Sequence, residues 1–137
     1  MEQVLQVVEH WINHVRTEAN AADRFDVDWV DLGAIGWAGR PNSFERRSQF
    51  KEYIQSPWSR GAEPDLVLVD GRFRVACFLY SLAKAKPGCT ILFDDYTNRP
   101  KYHLVEEFIQ PTGFCGRQGH FRVPETLDRE AILAEAD

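Results

Sequence analysis

The sequence TILFDDYTNRP, residues 90–100, joins a short apolar run to two adjacent aspartates. The run at residues 90–93 has the composition of a buried strand, and the aspartates stand where that strand would end. Burial of an unpaired carboxylate costs free energy, and neighbouring carboxylates repel each other. We therefore expect Asp94 and Asp95 to be compensated by a metal ion, by a basic partner or by water.

The segments around this stretch predict an alternation of strands and helices. Within DLVLVD, residues 65–70, the apolar residues 66–69 predict a strand that ends in Asp70. Residues 73–86 predict a helix that a Pro-Gly pair closes. Residues 99–109 predict the helix that follows the aspartates, with a proline in its first turn. The second half of the chain thus alternates strand, helix, strand and helix.

The remaining segments predict a hairpin near the C-terminus and a further series of elements in the first half. Gly116 and Gly119 lie near the predicted turn of the hairpin GFCGRQGHFRVP, residues 113–124, and residues 127–137 predict a C-terminal helix. The first half predicts a strand, a helix, a strand, a glycine-containing loop and a helix, at residues 4–8, 9–22, 25–30, 32–43 and 44–54.

Alternating apolar strands and helices predict an α/β domain with a mostly parallel sheet, helices on both faces and a C-terminal antiparallel hairpin at one edge. In such sheets the ligand crevice lies outside the carboxyl ends of the strands. Acidic residues end four of the predicted strands: Glu9, Asp31, Asp70 and the pair of Asp94 and Asp95. We therefore expect these carboxylates to converge on one rim and to form a site.

Length and composition predict one globular domain, residues 1–137, with 44% hydrophobic and 27% charged residues. The net charge of −5 argues against nucleic acid and anionic membranes as partners, because those ligands select clustered positive charge. The N-terminus does not have the pattern of a signal peptide, and no apolar run reaches transmembrane length. Three scattered cysteines without a CxxC pair favour a reducing, cytoplasmic location.

Three segments of the sequence resemble the class I S-adenosylmethionine-dependent methyltransferases. Inside that family they are most similar to a group of uncharacterised bacterial methyltransferase-like proteins. They are VEHWINHV at residues 8–15, PDLVLVDGRFRVACFL at residues 64–79 and ILFDDYTNRPKYHLVEEF at residues 91–108, in the same order as in that group. The resemblance extends over nearly the whole chain. It implies a Rossmann-like methyltransferase sheet, S-adenosylmethionine as the methyl donor and a small-molecule substrate.

The resemblance also implies residues that bind the cofactor. In the family, the acid after the second strand holds the ribose hydroxyls, and that residue is Glu9 here. A carboxylate suits this role because it accepts two hydrogen bonds from a diol. The resemblance places Asp31 near the adenine amino group, and it places Asp70 beside the cofactor as well.

The same resemblance implies a metal site. Metal-dependent O-methyltransferases of the catechol type carry aspartates after the fourth and fifth strands, and Asp70, Asp94 and Asp95 are similar in placement. A Mg²⁺ ion held there would polarise a substrate hydroxyl and lower its pKa. Asp70 and Asp94 would then be catalytic residues. His103, one helical turn after Arg99, is a further candidate, as a general base near the metal.

The family's first strand and its glycine-rich turn, which holds the methionine end of the cofactor, are not found in the sequence. The domain is therefore expected to be N-terminally truncated, with a gap of about 9–10 Å where that mid-sheet strand would lie. Either the cofactor site is incomplete, or another chain supplies the strand. The alternative hypothesis is a non-catalytic remnant that pairs with a partner chain, or with a second copy, through the exposed sheet edge.

The residues around the rim also have ordinary structural interpretations. The aspartate pair would suit the N-terminus of the next helix, where acids are favoured. Arg72 and Arg74 follow the predicted strand, and we expect them to pair with Asp70 or Asp94, or to bind an anionic substrate. Tyr96, directly after the aspartates, is the aromatic residue that the sequence favours for a substrate pocket.

Overall fold

The computed structural model describes residues 30–32 and 47–136. The chain divides into two compact units, residues 1–31 and 32–137, and the regular elements described here belong to the second. In chain order these elements are α1 (Arg47–Gln55), a 3₁₀ turn (Ser56–Trp58), β1 (Leu66–Val69), α2 (Arg74–Lys84), β2 (Thr90–Phe93), a 3₁₀ helix (Pro100–Glu107), β3 (Gly113–Cys115), β4 (Gln118–Arg122) and α3 (Arg129–Ala136).

The four described strands form one mixed sheet in the order β1-β2-β4-β3. β1 and β2 are parallel, with Val69 opposite Phe93, and α2 lies between them in the chain. β4 pairs antiparallel with both β2 and β3. The predicted α/β fold, with helices, a parallel strand pair and a C-terminal antiparallel hairpin, is confirmed in this part of the chain.

Aromatic rings hold α2 against the sheet. Phe78 of α2 has no exposed surface, and its ring lies 5.2 Å from that of Phe93 in β2 and 4.6 Å from that of Phe121 in β4. Leu79 and Leu82 of the same helix are also fully buried. Apolar residues three and four positions apart share one face of a helix, so the sequence pattern itself defines this buried face.

α1 packs against the start of α2. The rings of Phe50 and Tyr53 lie 4.9 and 5.9 Å from the ring of Phe73, between their centroids. The backbone N–H of Arg72 donates to the hydroxyl of Tyr53 at 3.3 Å. A Cβ at Gly71 would lie 2.5 Å from that hydroxyl oxygen. The glycine after β1 therefore leaves the space that the Tyr53 hydroxyl occupies.

The segment predicted as an α-helix at residues 99–109 is instead a 3₁₀ helix, Pro100–Glu107. Its apolar residues explain the difference, because Tyr102, Val105 and Phe108 follow one another at intervals of three. Val105 is fully buried, and the other two pack against the core. A helix with three residues per turn brings such residues to one side, whereas an α-helix would rotate them apart.

The predicted hairpin has a two-residue turn, Gly116 and Arg117, between β3 and β4. Gly116 has a φ of +57°, a left-handed conformation that favours glycine. Gly119 does not belong to the turn but lies inside β4, opposite Phe93. A Cβ there would lie 2.9 Å from Cδ1 of Tyr96, so this glycine makes room for the tyrosine ring.

α3 closes the C-terminal end of α2. The guanidinium of Arg129 donates to the carbonyl oxygens of Ala83 and Ala85, which the end of α2 leaves without helical partners. The carboxylate of Asp128 accepts a hydrogen bond from the N–H of Ala131 at 3.1 Å and caps α3. The predicted C-terminal helix is thus present as far as the structure describes it, and it begins two residues later than predicted.

One face of β1 is exposed. Leu66 and Leu68 are each 58% exposed, while Val69 points to the other side of the strand and is buried. The two leucines form an apolar surface that we call the leucine face.

Several predicted features lie outside the described residues. They are Glu9, the elements at residues 4–8 and 9–22, most of the strand at residues 25–30 and most of the glycine-containing loop. Asp31 is described, half-buried and outside any helix or strand, in the first compact unit. Among the described helices, none has the length and apolar character of a membrane span.

Candidate functional site

Three carboxylates converge at the carboxyl ends of β1 and β2. Asp70 directly follows β1, and Asp94 and Asp95 directly follow β2. The one-to-one register of these parallel strands brings both ends to the same edge of the sheet. One oxygen atom from each carboxylate lies within 4.8 Å of the others. We call these three residues the acidic rim, and the sequence predicted their convergence.

A buried arginine lies inside the acidic rim. Arg74 is the first residue of α2, and its side chain is 8% exposed. Its Nη1 donates to Oδ2 of Asp95 at 3.0 Å, and its Nη2 lies 3.4 Å from Oδ1 of Asp70. Two backbone carbonyls also accept from this side chain, with Asp94 O 3.1 Å from Nη1 and Gly71 O 3.0 Å from Nε. Of the two predicted partners, the side chain of Asp70 does lie beside Arg74, whereas Asp94 contributes only its backbone carbonyl and Asp95 supplies the second carboxylate.

Asp95 carries most of the charge pairing. Besides Arg74, the side chains of Arg99 and Arg117 lie 3.7 and 3.8 Å from its carboxylate oxygens. The hydrogen bond from Arg74 is the main reason why the pKa of Asp95 is lowered from its usual value of 3.8. Its backbone is left-handed, with a φ of +52°. Aspartate tolerates this conformation better than most residues, so the surrounding arginines can hold the side chain in this orientation.

Asp70 has the opposite electrostatic environment. Loss of hydration and the neighbouring charge of Asp94 raise the pKa of Asp70, against the smaller lowering effect of Arg74. The Asp70 side chain is nonetheless half exposed. A carboxylate with a raised pKa is a stronger base and remains accessible to a substrate. The acidic rim thus combines Asp95, which three arginines contact, with a second pair, Asp70 and Asp94, that we call the outer aspartates.

We expect the ion pairs of Asp95 to weaken in acid. A lowered pKa in the folded state contributes stability that is complete above the unfolded value of 3.8 and is lost as the pH falls through the folded value. Asp95→Asn should therefore lower the free energy of unfolding at about pH 7 more than at about pH 2. Urea unfolding of both proteins at the two pH values measures the difference.

A suitable control for this comparison is Asp128→Asn at the N-cap of α3, where asparagine caps as well as aspartate. Its effect on the free energy of unfolding should depend less on pH than that of Asp95→Asn. An Asp95→Asn effect of the same size at both pH values would contradict the ion-pair interpretation.

Tyr96 is a buried structural residue and does not line a substrate pocket. It is 1% exposed, and its hydroxyl donates to Oε2 of Glu106 at 2.5 Å. Burial, together with the charge of Glu106, raises the pKa of Tyr96. The bond ties the segment after β2 to the 3₁₀ helix. The sequence prediction of a pocket role for Tyr96 is therefore wrong.

His103 supports the same segment. Its Nε2 donates to the carbonyl oxygen of Tyr96 at 2.8 Å, and the two rings lie 4.5 Å apart. With Nε2 engaged by a carbonyl, only Nδ1 remains to accept a proton. The catalytic role of His103 stays a prediction, and its hydrogen bond explains its presence structurally.

Two residues of this site were not singled out from the sequence. Arg117 lies in the hairpin turn, and its carbonyl oxygen accepts the N–H of Tyr96 at 2.7 Å and of Thr97 at 3.1 Å. These bonds attach the turn to the chain just after the acidic rim and bring Arg117 to Asp95. Arg99 reaches the same carboxylate from the start of the 3₁₀ helix. The hairpin was predictable, but no sequence pattern indicated where its turn would attach.

The donor set does not fit the predicted magnesium site as a whole. Carboxylate oxygens within 4.8 Å of one another are suitable ligands for Mg²⁺. However, Arg74 already contacts both Asp70 and Asp95, so a metal bound by all three carboxylates would have to displace a buried guanidinium. The assignment of Asp70, Asp94 and Asp95 as metal ligands stays a prediction.

Comparison with solved structures finds a methyltransferase-like protein from Silicibacter pomeroyi DSS-3. The two chains are 32% identical, and their structures align with a TM-score of 0.67. The alignment covers 88% of this chain and 68% of the other. No protein-family model matches the sequence. A comparison with curated proteins also gives no match.

Proposed function

The chain belongs to the S-adenosylmethionine-dependent methyltransferase-like family, and from this premise we propose that it transfers a methyl group to a hydroxyl oxygen of a small molecule. The observation that carries the proposal is the convergence of Asp70 and Asp94 at the ends of adjacent parallel strands. That edge of an open α/β sheet is where ligands bind.

Two carboxylates of the acidic rim, those of Asp70 and Asp94, would face S-adenosylmethionine. When bound, this cofactor supplies a methyl group on a positively charged sulfur, which leaves as a neutral thioether. The half-exposed Asp70 and its neighbour Asp94 present negative charge on the outer side of the rim. The roles of Glu9 at the ribose and of Asp31 near the adenine stay predictions from the family resemblance.

The outer aspartates would accept the proton of the acceptor hydroxyl. As the new oxygen–carbon bond forms and the sulfur–carbon bond breaks, the hydroxyl proton passes to the pair of Asp70 and Asp94. The raised pKa of Asp70 supports this role, because a stronger base removes a proton more readily. Arg74 holds the end of β1 and the segment after β2 in place during this step, through Asp70 and Asp95.

Calorimetric titration of S-adenosylhomocysteine into the purified chain, with and without Mg²⁺, tests the proposal. We expect binding of micromolar strength, followed by transfer of labelled methyl from S-adenosylmethionine to at least one compound in a panel of small hydroxylated molecules. Absence of heat under both conditions would rule out the cofactor and, with it, this function.

The leucine face favours a second candidate function. Leu66 and Leu68 expose apolar surface on β1, which in the described sheet has β2 as its strand neighbour. A partner chain, or a second copy, that covers this strand would bury both leucines. In this case the domain is a non-catalytic interaction module. The titration separates the two functions, because the module does not require S-adenosylhomocysteine to bind.

A further inference from the structure

We propose that the guanidinium of Arg74 is the resident cation of the acidic rim, and that the rim works without a divalent metal ion. The inference deepens the proposed function, since it names the group that balances the charge of that site. The binding of a divalent metal ion to the rim can be measured in the absence of cofactor and substrate.

The first argument is the position of Arg74. Three nitrogen atoms of its side chain contact four oxygen atoms, which belong to Gly71, Asp94, Asp95 and Asp70, at 3.0–3.4 Å. These oxygens come from the ends of both parallel strands. A planar guanidinium with all these partners has one favourable orientation, and at 8% exposure it is shielded from water. Arg74 therefore already bridges the ends of both strands with a positive charge.

The second argument is the charge balance. The acidic rim has three carboxylates, and three guanidinium groups lie within 4 Å of them, those of Arg74, Arg99 and Arg117. Opposite charges are thus equal in number before any ion binds. A divalent cation would add two positive charges beside three existing ones. The guanidinium charges therefore offset most of the attraction that the three carboxylates would exert on such an ion.

The third argument concerns the donors that remain. Asp95 is engaged by all three arginines, which leaves Asp70 and Asp94 as the outer carboxylates. Mg²⁺ does bind to pairs of carboxylates when water completes its shell. Here the Nη2 of Arg74 is 3.4 Å from Asp70, and its charge opposes that binding. Removal of the arginine charge should therefore create a cation site from the same carboxylates.

The test measures Mn²⁺, a paramagnetic substitute for Mg²⁺, by the resonance signal of the free ion in the presence of the full chain. Arg74→Gln keeps hydrogen-bond donors but removes the charge, and we expect it to bind Mn²⁺ at least about tenfold more tightly than wild type. Arg74→Lys, the matched control, keeps the charge and should bind no more tightly than wild type. A folded Arg74→Gln without this gain would overturn the proposal.

Wild type and Asp94→Asn provide a second measurement that does not depend on an Arg74 variant. If Arg74 is the resident cation, the two proteins should bind Mn²⁺ with affinities that agree within about twofold. Wild-type binding at least about tenfold tighter than that of Asp94→Asn would overturn the proposal even if Arg74→Gln failed to fold. Because neither measurement uses S-adenosylhomocysteine, failure of the proposed function would be detected separately.

Discussion

Replacing Asp94 by asparagine should slow methyl transfer by about 10²- to 10⁴-fold, the usual contribution of a positioned proton acceptor. The amide has nearly the shape of the carboxylate but does not accept a proton from the substrate hydroxyl. Arg74 contacts Asp94 through the backbone carbonyl, at 3.1 Å, and this contact does not depend on the side chain. The loss should therefore appear in the rate and not in the fold.

The measurement is transfer of labelled methyl to the acceptor found in the panel, with substrate and cofactor at saturation. Asp65→Asn is a matched control, because Asp65 precedes β1 at the opposite end of the strand and pairs with Lys86 at 2.8 Å. It should leave the rate within about twofold of wild type. An Asp94→Asn rate equal to that of the control would contradict a role for Asp94 in proton transfer.

Replacing Phe78 by alanine should lower the free energy of unfolding by about 3–5 kcal/mol. Phe78 has no exposed surface and its ring packs edge-on against Phe121 at 4.6 Å, so its removal leaves a cavity between α2 and the sheet. The free energy of unfolding of a typical domain is only about 5–15 kcal/mol, so this substitution alone would remove a large fraction of it. Urea unfolding followed by circular dichroism measures it.

Lys84→Ala is the control on the same helix, because Lys84 is exposed and alanine is a good helix former. Its effect should stay within about 0.5 kcal/mol. If Phe78→Ala cost no more than Lys84→Ala, the ring cluster would not be what fixes α2 on the sheet. The comparison also removes any general effect of alanine on helix propensity.

The part of the fold that the sequence predicted well is the part with strong apolar periodicity. β1 and β2 were placed at their observed residues because LVLV and TILF stand between clear turn and helix signals. The 3₁₀ helix was wrongly predicted as an α-helix because the composition of residues 99–109 is typical of an α-helix. The spacing of three between Tyr102, Val105 and Phe108 did not stand out within it. The spacing of three becomes decisive only when all three residues are known to face the core.

The candidate site was predictable in outline and not in its internal pairing. The rule for parallel sheets brings Asp70 and the aspartate pair together without knowledge of any side chain. It does not say which aspartate meets Arg74, because Asp94 and Asp95 are equivalent in sequence. The left-handed backbone of Asp95, with a φ of +52°, decides this, and such a conformation has no reliable signal in the sequence.

The register of β1 and β2 has a consequence for insertions and deletions. An extra residue in the exposed connection at residues 86–88 would lengthen a surface loop and leave Val69 opposite Phe93. An extra residue within β2 would turn its following side chains to the other face and move the aspartates by about 3.3 Å. Residues can therefore be inserted or removed between the two strands but not within them. The spacing of the three acids is maintained by the pairing of the strands and not by their separation in the sequence.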